Sequence, residues 1–163
     1  MQKKCLEPWI DEKTRILIVG TMPGEESIQK QTYYAHPRNK FWHYMATILN
    51  NGQELKTVEE KRCVLSSKGI GLWDSLSICE RKGSLDSNIK QQQPNDFSKF
   101  PFIEYVLFNG QKAAKYFKTY NGDYLSKRKS FDLPSTSPAN ASIPDAVKFE
   151  KWKEVLLSIL EKR

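Results

Sequence analysis

Three short segments of this chain hold the residue types from which a pocket for a planar heterocycle can be built. The first is Gly20, Thr21, Met22, Pro23 and Gly24, directly after the apolar run 16–19. Two glycines around a proline let backbone approach a ligand closely and leave N–H groups pointing at it, which suits a base or a sugar. An ordinary turn between strand and helix uses the same residues, so the loop gains meaning only from its neighbours. It is not a phosphate-binding P-loop, because no Gly-Lys-Ser/Thr follows.

The second segment, residues 33–42, reads Tyr-Tyr-Ala-His-Pro-Arg-Asn-Lys-Phe-Trp. A base held outside a duplex needs an aromatic face to stack on and amide groups that match its Watson–Crick edge. Tyr33, Tyr34 and Asn39 meet both needs, with His36 between them. Asn39 is also suited to cap a helix whose core face is Phe41, Trp42 and Met45, and the two roles are compatible. The third segment, residues 133–141, sets Ser135, Thr136, Ser137 and Asn140 in a proline-stiffened loop whose N–H and O–H groups can hold phosphates. Alone it reads as a turn; beside the first loop it reads as the other half of a site.

Basic residues add a possible rim. Lys127, Arg128 and Lys129 lie just ahead of the third segment and are expected to face phosphates, whereas Lys112, Lys115 and Lys118 read as a solvated helix face. The chain carries +7 overall, with fifteen Lys/Arg against nine Asp/Glu from Arg81 onward. Such an excess favours a polyanionic partner without requiring one.

The same composition argues against other classes. Cys5, Cys63 and Cys79 lack Cys-x-x-Cys spacing and read as reduced thiols, and two histidines, His36 and His43, are too few for a His-rich metal site. Any hydrolysis is expected to proceed without metal. The N-terminus has no signal-peptide core and no apolar stretch approaches ~20 residues, so an intracellular protein with no membrane partner is expected.

The elements that must position these segments follow from periodicity. Short β-branched apolar runs at 16–19, 70–73 and 105–108 predict buried strands, the last closed by Asn109 and Gly110, and 130–133 predicts a fourth. Helices are predicted over 39–49, 58–67, 111–120 and from 143 or 144 to 161. Alternating strands and helices imply βαβ units, a parallel sheet and a three-layer α/β/α sandwich in a single domain over 1–163. Residues 81–100 are polar and read as a long excursion. Asp74, at a strand end, is expected to act as a structural cap, and Ile143 is a candidate wedge into a base stack.

Taken together, the Gly-Thr-Met-Pro-Gly loop, the Tyr-Tyr-Ala-His-Pro-Arg-Asn-Lys-Phe-Trp stretch and Leu-Pro-Ser-Thr-Ser-Pro-Ala-Asn resemble the motifs of the uracil-DNA glycosylase superfamily, and most closely those of its hypoxanthine-DNA (deoxyinosine) glycosylase branch. Phe108, Asn109 and Gly110 before a lysine- and alanine-bearing helix are similar to the mismatch-specific members. The resemblance runs from about residue 13 to the C-terminus. It implies a central parallel four-stranded sheet, base excision from DNA, and no metal or organic cofactor; no lysine is positioned by sequence as a Schiff-base nucleophile, so an abasic site without strand cleavage is the expected product. A monomer is expected.

The chain departs from the superfamily at Met22, which stands where other branches carry a water-activating Asp or Asn. By resemblance the catalytic burden then falls on Asn39, which is too weakly basic to be a true general base and would position water or the base. Gly20, Met22, Gly24, Tyr33, Tyr34 and His36 would bind the base. Ser135, Thr136, Ser137, Asn140, Lys127, Arg128 and Lys129 would bind the DNA backbone. Two other readings use the same residues: a uracil or thymine mismatch glycosylase, and a noncatalytic binding module for nucleotides or nucleic acid.

Overall fold

The computed structural model describes residues 6–77, 93–139 and 142–162. Four strands form its centre: β1 (Ile16–Gly20), β2 (Ile70–Asp74), β3 (Tyr105–Asn109) and β4 (Lys129–Leu133). They make one parallel sheet in the order β2-β1-β3-β4. Ile16 lies opposite Ile70 on one side and Tyr105 on the other, and Tyr105 lies opposite Lys129. The strands are therefore level, and their carboxyl ends form one edge.

Alternation along the strands explains the layers. Ile16, Ile18, Ile70, Leu72, Leu107 and Leu133 point to one face and pack with α2 (Phe41–Leu49), α3 (Val58–Ser67) and α5 (Asp145–Glu161). Leu17, Val19, Val106 and Phe108 point to the other, against α4 (Gln111–Asn121) and the 3-10 turn Phe97–Lys99. Strands covered on both faces must be apolar throughout, which is why β1 reads as an unbroken hydrophobic run. The expected α/β/α sandwich with its parallel four-stranded sheet is the fold.

Three differences from the sequence reading have local causes. β1, β2 and β3 each continue one residue further, to Gly20, Asp74 and Asn109, because a parallel neighbour carries the ladder past the last apolar side chain. A six-residue helix, α1 (Glu25–Lys30), follows the first glycine loop. Its two turns are too short for a helical period to stand out. α2 starts at Phe41 rather than Asn39, since the Asn39 side chain accepts the Phe41 N–H at 3.0 Å and so lies outside the helix.

The helix ends carry visible signals. Thr57 accepts the Glu60 N–H at 3.0 Å and Glu60 reaches back to it, a capping box at the start of α3. Tyr44 on α2 donates to the Asp145 carboxylate at 2.7 Å, pinning the first turn of α5 to its neighbour. Of the polar excursion 81–100, residues 81–92 lie outside the described residues; toward its end Asp96 caps the turn Phe97–Lys99.

Candidate active site

In this strand order the chain leaves β1 in one direction for β2 and returns on the other side for β3, so the crevice between β1 and β3 at their carboxyl ends is the topological switch point. A cavity of about 290 Å³ opens there. Each strand end contributes to it: Gly20 and Thr21 from β1, Asp74 from β2, Asn109 from β3, and Ser135 to Pro138 after β4. Met22, Pro23 and Gly24 form one wall, and Tyr34, His36 and Asn39 come across from the loop before α2.

A reciprocal amide clamp holds the two halves together. Asn109 Nδ2 donates to Thr136 Oγ1 at 3.0 Å, and the Thr136 N–H donates to Asn109 Oδ1 at 2.9 Å. The Thr136 carbonyl accepts the Lys40 N–H at 3.1 Å, and the Trp152 indole donates to the Pro134 carbonyl at 2.9 Å. β3, the third segment, the second segment and α5 are thus tied at one point. Gly110 makes the close approach possible: its φ is +99°, and a Cβ there would lie 3.0 Å from that of Ser135. The sequence reading did not single out Asn109 for the site. The Asn-Gly pair closing a predicted strand was the available signal.

Asn39 sits half-buried at the cavity wall. Its Oδ1 accepts the Phe41 N–H, which fixes the orientation of the amide and leaves Nδ2 and the second lone pair of Oδ1 for a ligand or a water. Asn39 thus closes the turn just ahead of α2, whose N-cap is Lys40, while the same side chain lines the cavity.

The two tyrosines part company. Tyr33 is 1% exposed, donates its hydroxyl to the Glu7 carbonyl at 2.7 Å and packs edge-on to Trp9, so it is chiefly a core residue touching the cavity. Tyr34, with φ at +54°, turns the other way and aims its hydroxyl at Gly20. His36 is exposed; its Nδ1 accepts the Arg38 N–H at 3.1 Å. Gly20 is needed bare: a Cβ there would stand 2.5 Å from Asp74 Oδ1 and 2.9 Å from the Tyr34 hydroxyl.

Asp74 is not the cap that its position predicted. Its side chain turns into the cavity, the residue is 4% exposed, and burial alone pushes its carboxyl up to about 7.

The third segment divides as well. Thr136 is 2% exposed and serves the clamp, so it is not offered to a DNA backbone as expected. Ser135 and Ser137 line the cavity, their hydroxyls accepting the Ser137 and Ala139 N–H groups and shaping the loop. Asn140 lies outside the described residues, and Ile143 just after it is half-buried.

The basic triplet is elsewhere. Lys127, Arg128 and Lys129 stand at the amino end of β4, and the strand carries the chain roughly 13 Å before the third segment begins. Arg128 is moreover engaged inside the fold. It donates to the carbonyls of Ile103, Tyr124 and Pro101 at 2.7–2.8 Å and stacks on the Tyr124 ring at 3.7 Å. Nearness in sequence became separation in space because a parallel strand runs between the two sites.

A parallel α/β/α sheet whose level strand ends close on a small cavity, with polar side chains set in a largely apolar lining, is a ligand-binding framework at a switch point. The chain belongs to the uracil DNA glycosylase superfamily, whose family model matches residues 7–161. It is 38% identical to a hypoxanthine DNA glycosylase of Methanosarcina acetivorans over 145 residues, covering 86% of this chain and 89% of that one. A hypoxanthine DNA glycosylase of Methanosarcina barkeri is 39% identical over 122 residues, 71% of this chain and 76% of the relative. The solution NMR structure of a Methanosarcina acetivorans protein described as a candidate uracil DNA glycosylase superposes with a TM-score of 0.79 at 33% identity, covering 99% of both chains.

Proposed function

We propose that this protein is a DNA glycosylase that hydrolyses the N-glycosidic bond of a deaminated base, hypoxanthine above all, after the nucleotide has been turned out of the helix. The observation that carries the reading is the cavity itself: its size suits one base, and it gathers Tyr34 with Asn39, Asp74 and the serine loop from three separate parts of the chain. The family and the names of its relatives point the same way.

Bond cleavage passes through a state in which the sugar is positive and the departing base negative, so groups that stabilise those charges lower the barrier. Asn39 acts at the attacking water or the base. The second lone pair on Oδ1 accepts a water proton and Nδ2 donates, orienting the nucleophile without removing its proton. Backbone N–H groups of the loop 20–24 face the base, and Met22 contributes shape rather than proton transfer. Ser135 and Ser137 lie where the sugar and flanking phosphates would pass. No lysine among the residues lining the cavity is placed to attack the sugar, so the product is an abasic site in an intact strand.

The test is a duplex oligonucleotide carrying hypoxanthine, uracil or a G·T mismatch, incubated with the protein and then with alkali. Cleavage at hypoxanthine is expected, and Asn39→Ala should slow it by roughly 10² to 10⁴ while DNA binding persists. Near-normal turnover in that variant would remove Asn39 from the mechanism. Cleavage only at uracil or thymine would shift the substrate, and tight binding with no abasic product would mark a noncatalytic module.

A further inference from the structure

Two polar groups at the floor of the cavity are poorly satisfied inside the fold. The Tyr34 hydroxyl is buried and makes no well-formed hydrogen bond, although the Asn109 side chain lies near enough to act on it. The Asp74 carboxyl is buried too, and burial is the only influence on its ionisation, with no hydrogen bond or charge from a described residue to offset it. The Asn109 amide, which lines the same cavity, gives Oδ1 and one N–H to Thr136, and its side chain also acts weakly on the Tyr34 hydroxyl. Tyr34 and Asp74 come from different elements, the loop before α2 and the end of β2, and both reach the space in front of Gly20. A buried polar group left unpaired is costly, and native structures rarely keep two together. A ligand edge that brings an acceptor and a donor side by side would satisfy both at once.

We propose that Tyr34 and Asp74 are the pair that reads the base, the Asp74 carboxyl accepting a ring N–H and the Tyr34 hydroxyl donating to the adjacent carbonyl. That edge is a lactam, and in hypoxanthine it is N1–H and O6. The proposal rests on the reading of this protein as a glycosylase for a deaminated base, and it supplies what that reading lacked, the donor that tells the damaged purine from adenine. Deamination turns an edge with a ring acceptor and an amino donor into one with a ring donor and a carbonyl acceptor. Adenine would set its N1 lone pair against the Asp74 carboxyl and its amino group against the phenol. Guanine carries the same lactam, so the pair separates hypoxanthine from adenine and not from guanine.

The experiment uses Tyr34→Phe, Asp74→Ala and Asp74→Asn in the full chain, each read three ways. The first is Tm. Tyr34→Phe deletes an oxygen that makes no well-formed hydrogen bond, so its Tm should stay close to that of the parent or exceed it. The second is kcat/KM for hypoxanthine excision, expected to fall about tenfold or more for Tyr34→Phe and Asp74→Ala, with Asp74→Asn, whose amide keeps an acceptor, partly restoring it. The third is affinity for duplexes carrying non-hydrolysable 2′-fluoroarabino hypoxanthine or adenine nucleotides. The parent should prefer hypoxanthine by about tenfold or more, and each of the first two variants should shrink that preference.

A well-folded Tyr34→Phe protein with an unchanged preference overturns the proposal, as does a parent that binds the two bases alike, even if it excises hypoxanthine. Equal losses on both bases would assign the pair to structure and also overturn it. If the parent excises nothing yet shows the preference, and the variants lose it, the reading of the activity fails while the base-reading pair stands.

Discussion

Removing the Asn109 amide should loosen the site without touching the groups assigned to chemistry. Asn109 is 7% exposed and Thr136 2%, and they exchange two hydrogen bonds of 3.0 and 2.9 Å. In Asn109→Ala both bonds are lost, at about 1 kcal/mol each. The Thr136 hydroxyl can rotate toward another acceptor, but its N–H stays buried and unpaired at a further cost of about 1–3 kcal/mol. The sum is on the order of 3–5 kcal/mol, which in a domain of 163 residues lowers Tm by roughly 6–20 °C. Thermal unfolding followed by circular dichroism reads this directly. Because the same clamp sets the loop 134–138 beside the cavity, KM for a damaged oligonucleotide should rise more than kcat falls. Asn109→Asp provides the control: a carboxylate can accept from both the Thr136 N–H and its reoriented hydroxyl, so most of the stability should return. A Tm within 2 °C of the parent for Asn109→Ala would refute the clamp.

Three further outcomes follow from the same geometry. Asp74 has its folded pKa raised from 3.8 to about 7, so the native state keeps a proton that the unfolded state releases; its contribution is fully present below about pH 4, is lost as pH rises toward 7 and then levels off. The span corresponds to something on the order of 4 kcal/mol, and the Tm difference between Asp74→Asn and the parent should therefore widen from pH 4 to pH 7.5; a constant difference would place the carboxyl in water. Gly20→Ala should abolish excision, since its methyl group would collide with Asp74 and Tyr34, and an active Gly20→Ala enzyme would show that the floor of the cavity is not where the base sits. Reversing Lys127 and Lys129 to Glu should leave the salt slope of DNA binding unchanged, while Arg128→Ala lowers stability by about 2 kcal/mol through its lost carbonyl contacts; a slope reduced by about 0.9 per contact would restore the triplet to the DNA interface.

The sequence by itself determined the sheet, its parallel sense, the helices that cover it and the three segments that line the cavity. Those features follow from local pattern: unbroken apolar runs for strands buried on both faces, helical spacing between them, and glycine, proline and hydroxyl residues where strands end. Asn39 was legible because its amide and its place before an aromatic helix start are visible in a few consecutive residues. What the tertiary structure decided is which of those residues face one another. Tyr33 and Tyr34 are equivalent as letters, yet a positive φ at Tyr34 sends one to the core and the other to the cavity. Asp74 and Asn109 end strands that are far apart in the chain, and only the level register of β2, β1 and β3 brings them to one edge. The basic triplet and the serine loop are neighbours in sequence, and the length of β4 sets them at opposite ends of the sheet. Local pattern fixes conformation within a few residues; the partner of a buried polar group is set by strand order and register, which no single segment contains.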